Sequence, residues 1–305
     1  MLPRVAPIET LTPRRCLVAI LLVANSAASA TCPPPQAPRE QLLQLAARNW
    51  VLVDDWARQS LAIALLSCLG APDPVLRDEL AYTALSTWIR AKALDAGTVR
   101  EIGERALTMI QAPDPLGFAP PFAALALAEV ARADRLETVW SAPQRQAMVA
   151  AAAKFLRDTR DYRGFDESEG WRHAVAHGAD LLMQLSLNPV LERAQLDQLL
   201  EALAAQVLPP GHFYRYGEGE RLARPLLFTA RRRLHSAEEW SAWLARIVDR
   251  ALPAAQAPAR QSSLADVHNA KAFLLPLYAA LQESSDAELR ARLLPGAAAA
   301  LRRLP

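Results

Sequence analysis

The residues best suited to chemistry are concentrated between Asp161 and Asp180, which read Asp161-Tyr-Arg-Gly-Phe-Asp-Glu-Ser-Glu-Gly-Trp-Arg-His-Ala-Val-Ala-His-Gly-Ala-Asp180. Two of the chain's five histidines, His173 and His177, stand four residues apart here. On a helix that spacing lets both rings meet over one turn, and Asp180 adds a carboxylate one turn further. A helix over Ser168–Leu187 places Trp171, Val175, Gly178, Leu182 and Leu185 on one face. Glu169, His173, His177, Asp180 and Gln184 then fall on the opposite face. The second stripe carries no arginine or lysine, unlike the polar faces elsewhere in the chain. It is therefore expected to line a polar groove, or to meet another helix through hydrogen bonds.

Three uses of such a stripe are open. Histidines oriented by carboxylates can form a buried structural network. The His173–His177 pair with a distant acid can hold a metal, zinc being the one its ligands suit. The same groups in a groove can transfer protons as a general acid and base. His-Glu-x-x-His is absent, so a zinc-protease helix has no support. In the loop before the stripe Asp161 and Arg163 can pair, and Asp166 or Ser168 can cap the helix. That puts Arg163, Asp166 and Glu169 near the N-terminal end of the stripe.

The elements that must position these residues are helices. Of the 305 residues 52% are apolar and only 6% aromatic, with alanine and leucine dominant, a mixture that favours helix. β-Branched and aromatic runs bounded by turn residues are nearly absent. Helical periodicity covers Glu40–Leu52, Asp54–Leu69, Val75–Leu94, Asp95–Ile110, Pro121–Arg132, Ala142–Thr159, Leu191–Val207, Glu218–Leu234, Ala237–Ala251, Ser262–Gln282 and Asp286–Arg302. Ala71-Pro-Asp-Pro74 recurs as Ala112-Pro-Asp-Pro115, 41 positions on, a period that suits helix-hairpin repeats of the HEAT or armadillo kind. The expected fold is all-α, with antiparallel helix pairs stacked as a HEAT-like superhelix, or alternatively closed into an α/α toroid. Pro225 and Pro276 fall inside helical runs and are expected to kink or restart them.

Residues 1–30 read as a secretion signal. Arg14 and Arg15 precede the apolar run Cys16–Ala24, and Ala28-Ser-Ala30 supplies small residues for cleavage. That run is too short to anchor in a bilayer. Residues 31–39 are Pro-rich and read as an exposed linker, leaving 40–305 as one helical domain and a mature chain without a membrane span. The expected location is the periplasm or the medium. Losing residues 1–30 takes three arginines and one glutamate from 34 basic and 32 acidic residues, leaving 31 of each sign. A balanced chain lacks the basic excess of a nucleic-acid binder. Cys32 and Cys68 remain, and in an oxidising compartment they can pair.

Several weaker signals have plain structural readings. Gly217-Glu-Gly-Glu-Arg221 follows no strand and is not a dinucleotide fingerprint. Arg231-Arg-Arg233 with His235 is a basic cluster favourable to a helix C-terminus. Trp240 and Trp243 read as core. Arg77-Asp78-Glu79 reads as the acid-bearing start of a helix.

The central motif, Asp161-x-Arg-Gly-Phe then Gly170-Trp-x-His-Ala-x-Ala-His-Gly-Ala-Asp180, resembles the signature of a bacterial family, domain of unknown function 2785. Asp73-Pro-x-Leu-Arg-Asp-Glu-x-Ala-Tyr82 with Trp88-Ile is similar to the family's N-terminal motif. Gly217-Glu-Gly-Glu-Arg-Leu-Ala223 is similar to its acidic Glu-Asp-Glu-Arg-like segment, and Asn269-x-Lys-x-Phe-Leu-x-x-Leu-Tyr278 to its C-terminal helix. Two positions depart from it: Ala119-Pro-Pro-Phe122 stands where the family has an Arg-Ser-Phe-like segment, and Gly219 separates Glu218 from Glu220. The resemblance implies an all-helical fold and assigns no reaction. It also implies that Asp161, Arg163, His173, His177, Asp180, Glu220, Arg221, Asn269 and Lys271 belong together, on a shared inner surface or as buttresses between repeats.

The expected function is that of an exported helical-repeat protein binding a small molecule or a protein on a polar inner face. Its ligand contacts would come from Asp161, Arg163, Asp166, Arg221, Asn269 and Lys271. The alternative is a hydrolase, metal-assisted or not, acting on an envelope or extracellular substrate through His173, His177, Asp180 and Glu220. No cofactor is expected, zinc on His173 and His177 being the alternative.

Overall fold

The computed structural model describes residues 31–252 and 260–305. The expected secretion signal, 1–30, lies outside the described residues. Among the described residues twelve α-helices follow one another. They are α1 (Arg39–Ala47), α2 (Asp55–Leu65), α3 (Thr83–Arg90), α4 (Ala96–Met109), α5 (Ala119–Leu136) and α6 (Ala142–Asp158). Then come α7 (Ala174–Ser186), α8 (Arg193–Val207), α9 (Glu218–Arg231), α10 (Ala237–Ala251), α11 (Gln261–Glu283) and α12 (Ala287–Arg303). A 3₁₀ turn, Leu66–Gly70, extends α2, and a π-helical segment, Val75–Tyr82, leads into α3.

Short polar side chains open the helices as expected from their lone-pair geometry. Asp54 accepts from the Ala57 amide at 2.9 Å, and Asp95 from Thr98 at 2.7 Å. Asp286 does the same for Leu289 at 3.0 Å. The repeated tetrapeptide is a repeated cap. Asp73 accepts from the Val75 amide at 2.9 Å, and Asp114 from the Phe118 and Ala119 amides at 2.8 and 2.7 Å.

α5, α7, α9 and α11 pack each on the next, with α3 and the π segment against α5 at the N-terminal end. α4, α6, α8, α10 and α12 form a second layer, joined to the first through the pairs α4–α5, α6–α7, α8–α9, α10–α11 and α11–α12. Alanine and leucine fill the space between the layers, and Trp140, Trp240 and Phe273 are fully buried within it. Small residues let the helices approach closely, as small-to-large interdigitation requires. Among the described residues no substantial packing joins α1 or α2 to α11 or α12. The stack is open, a superhelix and not a ring.

Three local expectations are corrected. The Pro-rich segment is held down: Cys32 is bonded to Cys68, and Pro34 and Ala37 are buried. α9 and α11 run on through Pro225 and Pro276 without restarting. The helix expected over Ser168–Leu187 begins only at Ala174. Ahead of it β1 (Phe165–Asp166) and β2 (Gly170–Trp171) form a small antiparallel hairpin. The reason lies in Asp166, whose Oδ1 accepts from the Ser168 amide at 2.8 Å and the Glu169 amide at 3.0 Å. That closes a turn with bonds a helix would otherwise make. Gly170, at φ +72°, takes the left-handed conformation the turn needs. Glu169 and Trp171 are therefore not on a helical face.

Candidate functional site

The loops leading into α5, α7 and α9 lie along one edge of the stack, and polar groups join each to its neighbour. Arg163 and Arg172, both in the loop before α7, donate to the Leu116 carbonyl in the loop before α5, at 3.2 and 2.7 Å. On the other side, a Cβ at Gly164 would sit 2.0 Å from the ring of Tyr216, in the loop before α9. Only glycine permits that approach. The Tyr162 ring stacks on His212, centroids 4.8 Å apart. Asn269 of α11, fully buried, donates to the His212 carbonyl at 2.7 Å and accepts from the Tyr214 amide at 2.9 Å. Arg77, on the π segment, anchors the hairpin from below. It is fully buried, donates to the Glu169 carbonyl at 2.7 Å and the Ala71 carbonyl at 2.8 Å, and faces Asp78 at 2.6 Å. Its guanidinium and that of Arg172 each lie 4.1 Å from the Phe118 ring centroid.

Behind this edge runs a buried polar layer. The backbone pairing of His173 N with the Arg163 carbonyl, 3.1 Å, sets the histidine at the helix entry with φ 51°. Its ring stacks on Trp171 at 4.8 Å, and the His177 ring is 5.8 Å away. His173 Nε2 is 3.7 Å from Glu218 Oε1. Neither His173 Nε2 nor His177 Nδ1 has a hydrogen-bond partner among the described residues. Burial is the chief cause lowering the pKa of His173 below 6.5, with Glu218 opposing it and Arg221 adding to it. For His177 burial drives it well below 6.5, helped by the neighbouring His173 and Arg221. Asp180 forms a two-pronged ion pair with Arg221, Nε to Oδ1 at 2.9 Å. Farther along, the buried Glu129 takes Arg90 Nε at 2.8 Å and the Tyr82 hydroxyl at 3.4 Å. Burial first, then Glu129, raises the pKa of that hydroxyl.

Outside the layer, the joined loops enclose a cleft of about 570 Å³. Arg160, Arg163, Arg172 and Arg215 line it, with Asp161, Asp166 and Glu169. Tyr162, Phe165, Tyr216 and His212 supply aromatic walls. Arg160 and Asp161 also border a smaller neighbouring cavity of about 260 Å³.

The residues expected to belong together fall into four places. Asp161 and Arg163 pair as expected, Nε to Oδ1 at 2.8 Å, and with Asp166 they line the cleft. His173, His177, Asp180 and Arg221 share the buried layer. Asn269 buttresses the loop before α9. Glu220 and Lys271 stand apart: Glu220 is exposed and pairs with Arg224, and Lys271 reaches the Pro305 carbonyl. The carboxylate beside His173 is that of Glu218, two residues earlier. Gly219 between them is required by packing, since a Cβ there would lie 2.5 Å from the Ala272 backbone on α11. Among the described residues no three His, Cys, Asp or Glu side chains are grouped to hold a metal ion.

Sequence reasoning missed Glu218, Arg77, Arg172, Arg160, Arg215, Tyr216 and His212. Arg77 looked like an ordinary helix start, because nothing local announces that Glu169 will arrive above it from 92 positions away. A usable signal did exist for the cleft. His212-Phe-Tyr-Arg-Tyr216 holds two of only five tyrosines in an aromatic-poor chain, where aromatic density marks a contact surface.

The family model described as "Protein of unknown function (DUF2785)" matches residues 109–279. No curated protein and no solved structure matches the chain.

Proposed function

We propose, for a chain that belongs to the DUF2785 family of proteins of unknown function, that it is an exported binding protein whose ligand sits in the loop-edge cleft. The observation that carries this reading is the construction of the cleft. Three successive loops are locked together by Arg163, Arg172, Gly164 and Tyr216, yet they leave about 570 Å³ open between aromatic and guanidinium walls. Small-molecule sites have this character, a preformed hollow with a few placed polar groups. The buried histidine layer is then scaffold. A hydrolase acting through His173 would need substrate at an Nε2 that is walled off by Trp171, Tyr216 and Glu218. Export is supported by the signal-like segment 1–30 and by the Cys32–Cys68 bond, which persists in oxidising compartments. No described helix is long and apolar enough to cross a membrane.

The test is a blocked cleft. Phe165 is half exposed at the cleft wall, so Phe165→Cys can be alkylated with a bulky maleimide. Compounds from an envelope extract that raise the melting temperature of the wild type should leave the alkylated protein unmoved. Equal shifts in both proteins would place the binding site elsewhere.

A further inference from the structure

We infer that the ligand of this cleft carries an anionic group, a carboxylate or a phosphate, seated on Arg160 and Arg215. The inference rests on the cleft being the binding site, and it comes from accounting for every charged group on the cleft wall.

The acceptors are engaged within the protein. Asp161 holds Arg163, Nε to Oδ1 at 2.8 Å, and also takes the Arg163 amide at 3.1 Å. Glu169 holds Arg172 Nη2 at 2.8 Å. Asp166 accepts from the Ser168 amide and hydroxyl and from the Glu169 amide, at 2.8, 2.6 and 3.0 Å. Two of the four guanidiniums are thereby neutralised, and both are further tied to the Leu116 carbonyl.

The other two are not. Arg160 donates through Nη1 to the Arg157 and Thr159 carbonyls at 2.9 and 2.7 Å, which fixes the side chain, and its guanidinium has no carboxylate partner among the described residues. Arg215 has neither a hydrogen-bond partner nor an ion pair among the described residues, and it is exposed at the rim. His212, also in the wall, is weighted toward its neutral form, its pKa lowered chiefly by burial. The wall thus carries four guanidiniums against three carboxylates, and Asp166, the one acid without an ion pair among the described residues, is engaged by its own turn through Oδ1. In a mature chain whose charges otherwise balance at 31 of each sign, this is a local positive excess. Guanidinium forks recognise planar carboxylates and phosphates through paired N–H···O bonds. The exposed rings of Phe165 and Tyr216 beside them suit a ligand whose anionic group is attached to a ring.

The experiment compares phenyl phosphate, benzoate and benzyl alcohol by calorimetric titration into the full mature protein. It uses wild type, Arg160→Gln/Arg215→Gln, the alkylated Phe165→Cys protein, and Arg302→Gln, which removes one exposed charge from α12, as a control away from the cleft. At least one anion should bind. The double variant should weaken it by about tenfold or more, as loss of charge-assisted hydrogen bonds does. Arg302→Gln should change it less than about twofold, and affinity should fall as salt rises. Which anion binds tells a phosphate from a carboxylate seat. If benzyl alcohol binds as tightly as either anion and ignores the double variant, the anionic assignment falls while the cleft reading stands. If an anion binds equally well to the alkylated protein, the cleft reading falls with it. If none of the three binds at 20 mM, a concentration at which two free guanidiniums in one wall should hold a phenyl anion (Kd of roughly millimolar is only about 4 kcal/mol), the seat does not exist.

Discussion

The histidine layer and the loop cleft are built from neighbouring residues of one segment, and they differ in what their polar groups lack. In the layer Asp180 is matched to Arg221 and Glu129 to Arg90, Glu218 accepts from the Tyr216 amide, and the imidazole nitrogens left without partners are sealed from solvent. In the cleft Asp161 and Glu169 are matched to Arg163 and Arg172, and the guanidiniums of Arg160 and Arg215 are left without a carboxylate at an open wall. The first arrangement holds a fold together, because neutral imidazoles can be buried at modest cost whereas unpaired charges cannot. The second is where the proposed ligand would be received. Scarce, reactive residue types mark the region of greatest constraint here, and commonplace arginines mark the region open to a partner.

The comparison is tested most severely at Arg77, which holds the hairpin through the Glu169 carbonyl and lies 4.8 Å from the centroid of Phe122, the ring that packs edge-on against His177. Arg77→Met should cost about 3–5 kcal/mol in urea unfolding, since removing the fully buried guanidinium leaves the partly buried Asp78 and the Ala71 and Glu169 carbonyls without their partner. Burial already raises the pKa of Asp78 against the pull of Arg77. The same substitution releases the Glu169 carbonyl and so frees the hairpin. A variant that unfolds like the wild type would show that the two regions do not share a foundation.

Next in size is the histidine pair itself. His173→Ala/His177→Ala should lose about 2–4 kcal/mol, through the cavity left against Trp171 and Phe122. If the double variant melts like the wild type, the histidines are not scaffold, and the layer would have to be reconsidered as a site. A pH series separates the two histidines from the rest. Both have folded pKa values below 6.5, so as pH falls through about 6.5 the unfolded chain takes up protons that the folded chain refuses. Stability should therefore drop as pH falls from 7 toward 5 and recover as it rises. The slope should shrink in the double variant, to the part owed to His212, which burial also lowers. A pH-independent melting temperature over that range in the wild type would contradict the burial of both rings.

Much of the fold was legible because it rests on local rules. Alanine–leucine periodicity, the Asp caps and the 41-residue spacing of Ala-Pro-Asp-Pro all act within a turn or a hairpin. The site was legible only in part. Asp161 with Arg163 lies two residues apart, and its pairing follows from that spacing. Placing Asp180 with Arg221, or Arg77 under Glu169, depends on helix stacking across 41 and 92 positions, which periodicity does not encode. The false helix over 168–173 arose because Asp166 and Gly170 satisfy the backbone in a turn, overriding a face that looked amphipathic. Glu220 drew attention over Glu218 because the register of a helix entry is set by its cap. Gly217, at φ 81°, starts α9 so that Glu218 turns inward and Glu220 outward.

The smallest expected effects bear most directly on the cleft. Glu220→Gln removes one side of an exposed pair with Arg224 and should change stability by less than about 0.5 kcal/mol, with no effect on ligand affinity. Arg215→Gln, equally exposed, should be just as quiet in unfolding and yet weaken the bound anion. The two substitutions each remove one charge from the surface near the start of α9, and only one of them faces the cleft. Similar melts with different affinities would separate a charge that decorates the surface from one that meets a ligand. If Glu220→Gln tightened the anion by as much as Arg215→Gln weakened it, the effect would be one of long-range field, and the seat on Arg160 and Arg215 would lose its specificity.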